Sequence, residues 1–128
     1  MRGLIDTHAL IWWWNEDSAL SAAARAVISE SANVLFVSAA SAWEIATKFR
    51  SGRLPSMARH IGIFDANVRE DGFRHLDVRY DHGVRGGQLE GEHRDPFDRL
   101  IAAQALVEDL VVITRDRAFS DFGCKVIW

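Results

Sequence analysis

Asp6, Glu44, Asp98 and Asp116 are spread along the 128-residue chain, yet each falls where a regular element is expected to begin or end. Asp6 follows the apolar Gly3-Leu4-Ile5. Glu44 comes a helical turn or more after the apolar Val34-Leu35-Phe36-Val37. Asp98 opens an apolar run through Val107, and Asp116 follows Leu110-Val111-Val112-Ile113-Thr114. Hard divalent cations such as Mg²⁺ and Mn²⁺ are held by carboxylates and water, so four such acids on one sheet edge would be a natural site for them. Singly, each acid has a structural use: Asp6 and Asp98 could cap helices, Glu44 could pair with Lys48, and Asp116 could shape a turn. Together they repel, by on the order of 4 kcal/mol per close pair at an effective dielectric of about 20. A cation, or a shared proton, relieves such crowding.

The elements that must position these acids alternate in type. A short buried strand at Gly3–Ile5 is expected to lead into a helix beginning at Asp6 or Thr7, and the alanine-rich Ser21–Ser31 reads as a second helix with a Ser cap. Val34–Val37 has the length and β-branched content of a strand covered on both faces. Ser38 or Ser41 can cap the next helix, which carries Glu44 and ends near Ser51-Gly52. One further helix is expected from Ser56 to Asp71, stopped by Gly72, then a less buried strand over Phe73–Val78. Tyr80–Leu89 is a weaker helix, since Gly83, Gly86 and Gly87 each cost about 1 kcal/mol relative to Ala. A polar loop at Gly91–Pro96 precedes the helix from Asp98, the strand at Leu110–Thr114 and a last strand at Lys125–Trp128. Strand and helix in alternation predict an α/β fold, a mainly parallel twisted sheet with helices on both faces, as one domain over residues 1–128. Right-handed crossovers then bring the four acids to one edge.

Bulk properties narrow the setting. The 48% hydrophobic and 26% charged composition is that of an ordinary globular domain, and the net charge of −3 provides no overall attraction for nucleic acid, which would need local cations. A lone cysteine, Cys124, excludes an internal disulfide or a multi-thiolate zinc site and fits the cytoplasm. The apolar stretch Leu4–Trp14, broken by Asp6 and His8, is too short to span a membrane.

Four stretches carry a more specific signal: Leu4-Ile5-Asp6-Thr7-His8-Ala9-Leu10, Ser41-Ala42-Trp43-Glu44-Ile45, the run from Asp95-Pro96-Phe97-Asp98-Arg99 to Ala105, and Ile113-Thr114-Arg115-Asp116-Arg117-Ala118-Phe119. Together they resemble a PIN domain of the VapC toxin type over nearly the whole chain. The resemblance implies an Mg²⁺- or Mn²⁺-dependent endoribonuclease, the toxin of a toxin-antitoxin pair, inhibited by a cognate antitoxin and working as a homodimer on RNA. It assigns metal binding and catalysis to Asp6, Glu44, Asp98 and Asp116, and site orientation to Thr114 and Thr7, with Asp95 a candidate fifth acid. Hydrolysis by activated water would leave a 5′-phosphate and a 3′-hydroxyl. Gly3 departs from the pattern, standing in a strand position where the family usually has a bulky apolar residue.

Other residues bear on binding. Lys48, Arg50, Arg53, Arg94, Arg99, Arg115 and Arg117 lie near the acids in sequence, and Lys48, Arg99, Arg115 and Arg117 are the chosen candidates for RNA contact. Trp12, Trp13 and Trp14 fan over roughly 200° of a helix, so at least one is expected to face outward, where it could meet a partner. His8 and His93 adjoin acids without ligand spacing to another His and are read as structural hydrogen-bonders. Competing functions fit the residues less well. A phosphoaspartate enzyme of the dehalogenase type needs a second Asp where His8 stands, a receiver domain needs a tight acidic pair near the first strand and a late Lys after a strand, and a catalytically idle PIN-like module that only binds RNA or a partner would have no need of four intact acids.

Overall fold

The computed structural model describes residues 1–128. Strand β1 (Arg2–Ile5) passes without a loop into α1 (Thr7–Trp14), because Asp6 stays extended while its carboxylate accepts the Thr7 amide hydrogen at 2.8 Å and caps the helix. Ser21 caps α2 (Ala22–Ser29) through the Ala24 amide. Strand β2 (Val34–Ser38) turns directly into α3 (Ala39–Arg50), whose cap is Ser38. A 3-10 turn at Pro55–Met57, α4 (Ala58–Ile61) and α5 (Phe64–Glu70) lead to β3 (Arg74–Leu76). Helices α6 (Tyr80–Gln88) and α7 (Pro96–Glu108), strand β4 (Val111–Ile113), α8 (Ala118–Asp121) and β5 (Val126–Ile127) complete the chain.

The five strands form one sheet, all parallel, in the order β3-β2-β1-β4-β5. Ile5 registers with Val37 on one side and Ile113 on the other, so the carboxyl ends of the three central strands lie level. The chain moves outward from β1 to β3, then returns to place β4 and β5 on the opposite side of β1. That reversal opens a crevice beyond the ends of β1 and β4, the usual ligand position in such sheets. Asp6 follows β1, and Thr114 to Asp116 follow β4.

Alternating strand residues feed two cores. Ile5, Leu35, Val37 and Ile113 pack with Leu10 and Ile11 of α1, Ala24 and Ile28 of α2, and Ile45 of α3. Leu4 and Val112 pack on the other face with Ile101, Ala102 and Ala105 of α7 and Phe119 of α8. Both faces are covered, as the sequence patterning predicts. No helix is long and apolar enough to cross a membrane.

Several boundaries differ from expectation for physical reasons. The helix expected over Ser56–Asp71 is interrupted: Pro55 opens a 3-10 turn, and Gly62 ends α4 before Ile63 leaves helical geometry at φ −130°. Asn67 bridges the break by hydrogen bonding to His60 at 2.9 Å. Gly72 stops α5 at φ +76°, a conformation favouring glycine. The third strand shortens to Arg74–Leu76 and pairs with β2 alone, at the sheet edge. Helix α6 forms despite its glycines because Gly86 packs close to α7; a Cβ there would lie 3.3 Å from the Arg99 carbonyl oxygen. Gly3 has a similar reason, since its Cβ would stand 3.1 Å from Leu35 Cδ2 and 3.2 Å from the Val111 carbonyl oxygen. A bulky residue has no room there.

Candidate metal centre

Each candidate acid is held by the element that brings it to the crevice. The 4%-exposed Asp6 offers Oδ1 to the Thr7 amide and accepts the Thr114 hydroxyl on Oδ2 at 3.0 Å. The Thr114 oxygen in turn accepts the Asp116 amide hydrogen at 3.0 Å, so one hydroxyl ties the end of β1 to the turn after β4. Asp116 is exposed and shapes that turn by accepting the Ala118 amide hydrogen. Thr7 and Ser41 share a buried hydroxyl hydrogen bond of 2.8 Å that fixes the start of α1 against α3. From α3, the buried Glu44 pairs with Lys48 through Oε2, while its other oxygen, Oε1, is buried without any hydrogen-bond partner.

Asp98 enters from the N-terminus of α7. It is the third residue of that helix rather than its cap: Pro96 stands first and Asp95 caps, accepting the Phe97 and Asp98 amides on Oδ1. Asp98 Oδ2 is bonded to His93 Nε2 at 2.8 Å. One ligand atom from each of His93, Asp98 and Asp116 can be chosen so that all lie within 4.8 Å of one another. Asp116 also lines a cavity of about 270 Å³ with Asp6, His8, Trp12 and Arg115. It therefore belongs to both groupings.

Electrostatics register the crowding. Burial pushes the Asp6 carboxyl up to about 7, and the charges of Asp98 and Glu44 add to this against the lowering hydrogen bonds from Thr114 and Thr7. Burial also raises Asp98, as do Asp95 and Glu44, with the His93 hydrogen bond opposing. His93 is raised chiefly by that same bond. The donor set, carboxylate oxygens with one imidazole, suits a divalent cation that accepts oxygen ligands. The ligand atoms that come within reach of one another are those of His93, Asp98 and Asp116, with Asp6 and Glu44 outside that grouping; Glu44 Oε1 is nonetheless a buried acceptor left for an ion or a water. The cluster can bind a metal.

The basic and aromatic candidates separate sharply. Arg99 is committed elsewhere: its guanidinium donates to the carbonyls of Gly86, Leu89, Gly91 and His93 and covers the Phe122 ring, fastening the loop before α7. That use removes it from the RNA-contact candidates. Lys48 faces Glu44 inside the site, Arg117, Arg50, Arg53 and Arg94 are exposed, and Arg115 lies 4.5 Å over the Trp12 ring. None of Trp12, Trp13 and Trp14 is left exposed, contrary to expectation. Trp13 and Trp14 both donate their indole hydrogens to Asp71, Trp14 stacks on His60, and Trp12 turns into the acidic cavity with its edge against Trp128. The outward aromatics are Trp43 (59% exposed), edge-to-face with Phe97, and Tyr80 (87%). His93 is the hydrogen-bonder the sequence suggests, its partner being Asp98; what no His spacing reveals is that it also stands within ligand reach of Asp116. Its place in the acid-rich loop five residues before Asp98 was the available signal.

The chain has the fold of a chain in VapBC2 from Rickettsia felis bound to a DNA fragment from their promoter, with TM-score 0.73, 14% identity, and coverage of 99% of this chain and 98% of that one. It is likewise similar to a chain of VapBC-1 from nontypeable Haemophilus influenzae (TM-score 0.69, 17% identity, 99% and 97% covered). A toxin-antitoxin complex from Klebsiella pneumoniae contains a third such chain (TM-score 0.56, 16% identity, 98% and 96% covered). Identities this low speak for the fold alone. No curated protein matches the sequence. A family model described as PIN domain matches residues 3–124, and the chain therefore belongs to the PIN domain family.

Proposed function

We propose that this protein is a divalent-metal-dependent endoribonuclease, the toxin of a toxin-antitoxin pair, in which Asp6, Glu44, Asp98 and Asp116 hold Mg²⁺ or Mn²⁺. The observation that carries this reading is the buried Glu44 Oε1 without a partner, in a fold where the charges of Asp98 and Glu44 add to burial in raising the Asp6 carboxyl. A fold that gathers acids at this cost has a use for their combined charge. The family match supports nuclease chemistry, and the toxin-antitoxin complex among the similar structures supports the partner. A cognate antitoxin, an RNA substrate, a homodimer and a cytoplasmic setting complete the proposal.

The chemistry a divalent cation supplies at such a site is charge neutralisation at the phosphoryl oxygens and acidification of water for in-line attack. The chain's own residues prepare for it. Thr114 and the Thr7 amide orient Asp6, and Lys48 holds one oxygen of Glu44 while leaving the other free. His93 fixes Asp98 through Oδ2, and Asp95 starts the helix that carries it. No side-chain nucleophile is required, and Asp95, which caps the helix through Oδ1 alone, stays the candidate fifth acid.

The test is cleavage of end-labelled RNA by wild-type protein and Asp98→Asn, with Mg²⁺, Mn²⁺ or EDTA. Products with 5′-phosphates, abolished by EDTA and by the substitution, are expected. Cleavage indifferent to both would overturn the reading, and failure to cut any of a panel of RNAs would favour a binding module without catalysis.

A further inference from the structure

Arg115 is the cation of the acidic cavity that has no counter-ion. Its guanidinium forms no salt bridge and donates no hydrogen bond, although Asp6 and Asp116 line the same cavity. Its Cζ stands instead 4.5 Å over the Trp12 ring, a cation–π contact. Trp12 is itself fixed edge-on by Trp128, with ring centroids 5.7 Å apart, and half-buried where α1 meets the end of the sheet. A guanidinium placed over a ring and hydrogen-bonded to nothing in the protein keeps its N–H donors free, and such donors match phosphate oxygens bidentately. Arg99 and Lys48 show the opposite state, their donors engaged within the protein.

We propose that Trp12 and Arg115 form a strand clamp beside the acidic cluster, Arg115 binding an RNA phosphate adjacent to the cleaved one and Trp12 acting as the positioning residue that aims it. This deepens the ribonuclease reading and rests on it. The charge logic is local. A polyanion approaching Asp6 and Asp116 meets repulsion that the net charge of −3 does not offset, so a pre-oriented cation at the cavity wall is what admits the strand. Trp12 thus has a use beyond packing, which explains why the fan of three tryptophans turns one ring to the cavity.

The experiment separates clamp from catalysis. In the Asp98→Asn background, binding of a fluorescein-labelled single-stranded RNA is followed by anisotropy between 50 and 200 mM salt, titrations set by the range over which counterion release is resolved. Adding Arg115→Ala is expected to weaken binding about tenfold and to lower the slope of log affinity against log salt by about 0.7, the loss of one single-strand phosphate contact. Arg115→Lys should keep the slope while losing affinity, because a lysine retains the charge without the guanidinium's bidentate donors. Trp12→Leu should lower affinity with Arg115 still present, and Trp12→Phe should recover much of it; Arg85→Ala, on the exposed surface of α6, should change neither. In the cleaving protein, Arg115→Ala should raise KM with kcat little altered. Unchanged affinity and slope in Arg115→Ala would overturn the clamp while wild-type cleavage continued. Absence of both cleavage and binding in the parent proteins would instead overturn the ribonuclease reading, and the clamp with it.

Discussion

The Thr114 hydroxyl donates to Asp6 Oδ2 at 3.0 Å across 108 residues of sequence and, through its own oxygen, accepts the Asp116 amide hydrogen. Two candidate metal-binding acids from different strands are thereby referred to one side chain. Thr114→Val keeps the shape and removes both bonds. The variant should fold, yet lose about 10- to 100-fold in metal affinity and in cleavage, the usual scale for a residue that orients ligands. Thr114→Ser should recover most of the loss, and metal titration with parallel cleavage assays checks both.

Asp6 sets a pH dependence with a definite sign. Its carboxyl is raised from an ordinary value of 3.8 to about 7 by burial and by the Asp98 charge. A raised folded-state value means that the stability it contributes is fully present below about pH 4 and is lost as pH climbs through about 7. Asp98 and His93 are shifted in the same direction and reinforce the trend. Metal-free protein should therefore melt at progressively lower temperature from pH 5 to pH 8, conditions chosen to bracket that window. Asp6→Asn should flatten the profile. A metal-free melting temperature rising steadily over this range would contradict the crowded site.

Removing one repelling charge should stabilise the metal-free protein. Asp98→Asn is expected to gain about 1 kcal/mol, or about 4 °C in a domain of this size, while losing the extra stabilisation that Mn²⁺ gives wild type. Lys48→Met should do the reverse. It strips the partner from a buried Glu44 and should cost about 3 kcal/mol without metal, a deficit that Mn²⁺ partly restores. Thermal melts with and without Mn²⁺ measure both.

Arg99 and Arg115 should behave as opposites. Arg99→Ala leaves several backbone carbonyls without their donor and frees the loop bearing His93, so the melting temperature should fall by about 8 °C, corresponding to about 2 kcal/mol. Its RNA-binding salt slope should not change.

The sheet was legible because its strands are short apolar runs bounded by caps and turn residues: Val34–Val37 and Leu110–Thr114 mark β2 and β4 to within a residue at each end, and Ser21 announces its helix by type, whereas Ser38 and Ser41 both suited the start of α3 and Ser38 caps it. What escaped was set by contacts distant in sequence. Glycines in α6 argue against a helix until Gly86 is seen against the Arg99 carbonyl, and Gly3 looks misplaced until Val111 is alongside. The four acids were found by their positions at element ends and by resemblance. Periodicity fixed the angular spread of Trp12, Trp13 and Trp14 but not what lay opposite each ring, so Asp71 and Arg115 as their partners were invisible. His93 was legible as a hydrogen-bonder beside the acids, but not as a member of a possible metal-binding group, because that depends on a fold that puts Asp116 near Asp98.

The most direct measurement is Mn²⁺ binding to purified wild-type protein, followed by calorimetry and by the electron paramagnetic resonance of the bound ion, alongside Glu44→Gln and Asp6→Asn. A site made by these carboxylates requires saturable binding in wild type, weakened at least tenfold by either substitution in proteins that remain folded. Mn²⁺ that fails to bind, or binds equally to all three, would contradict the proposal that these acids hold the metal.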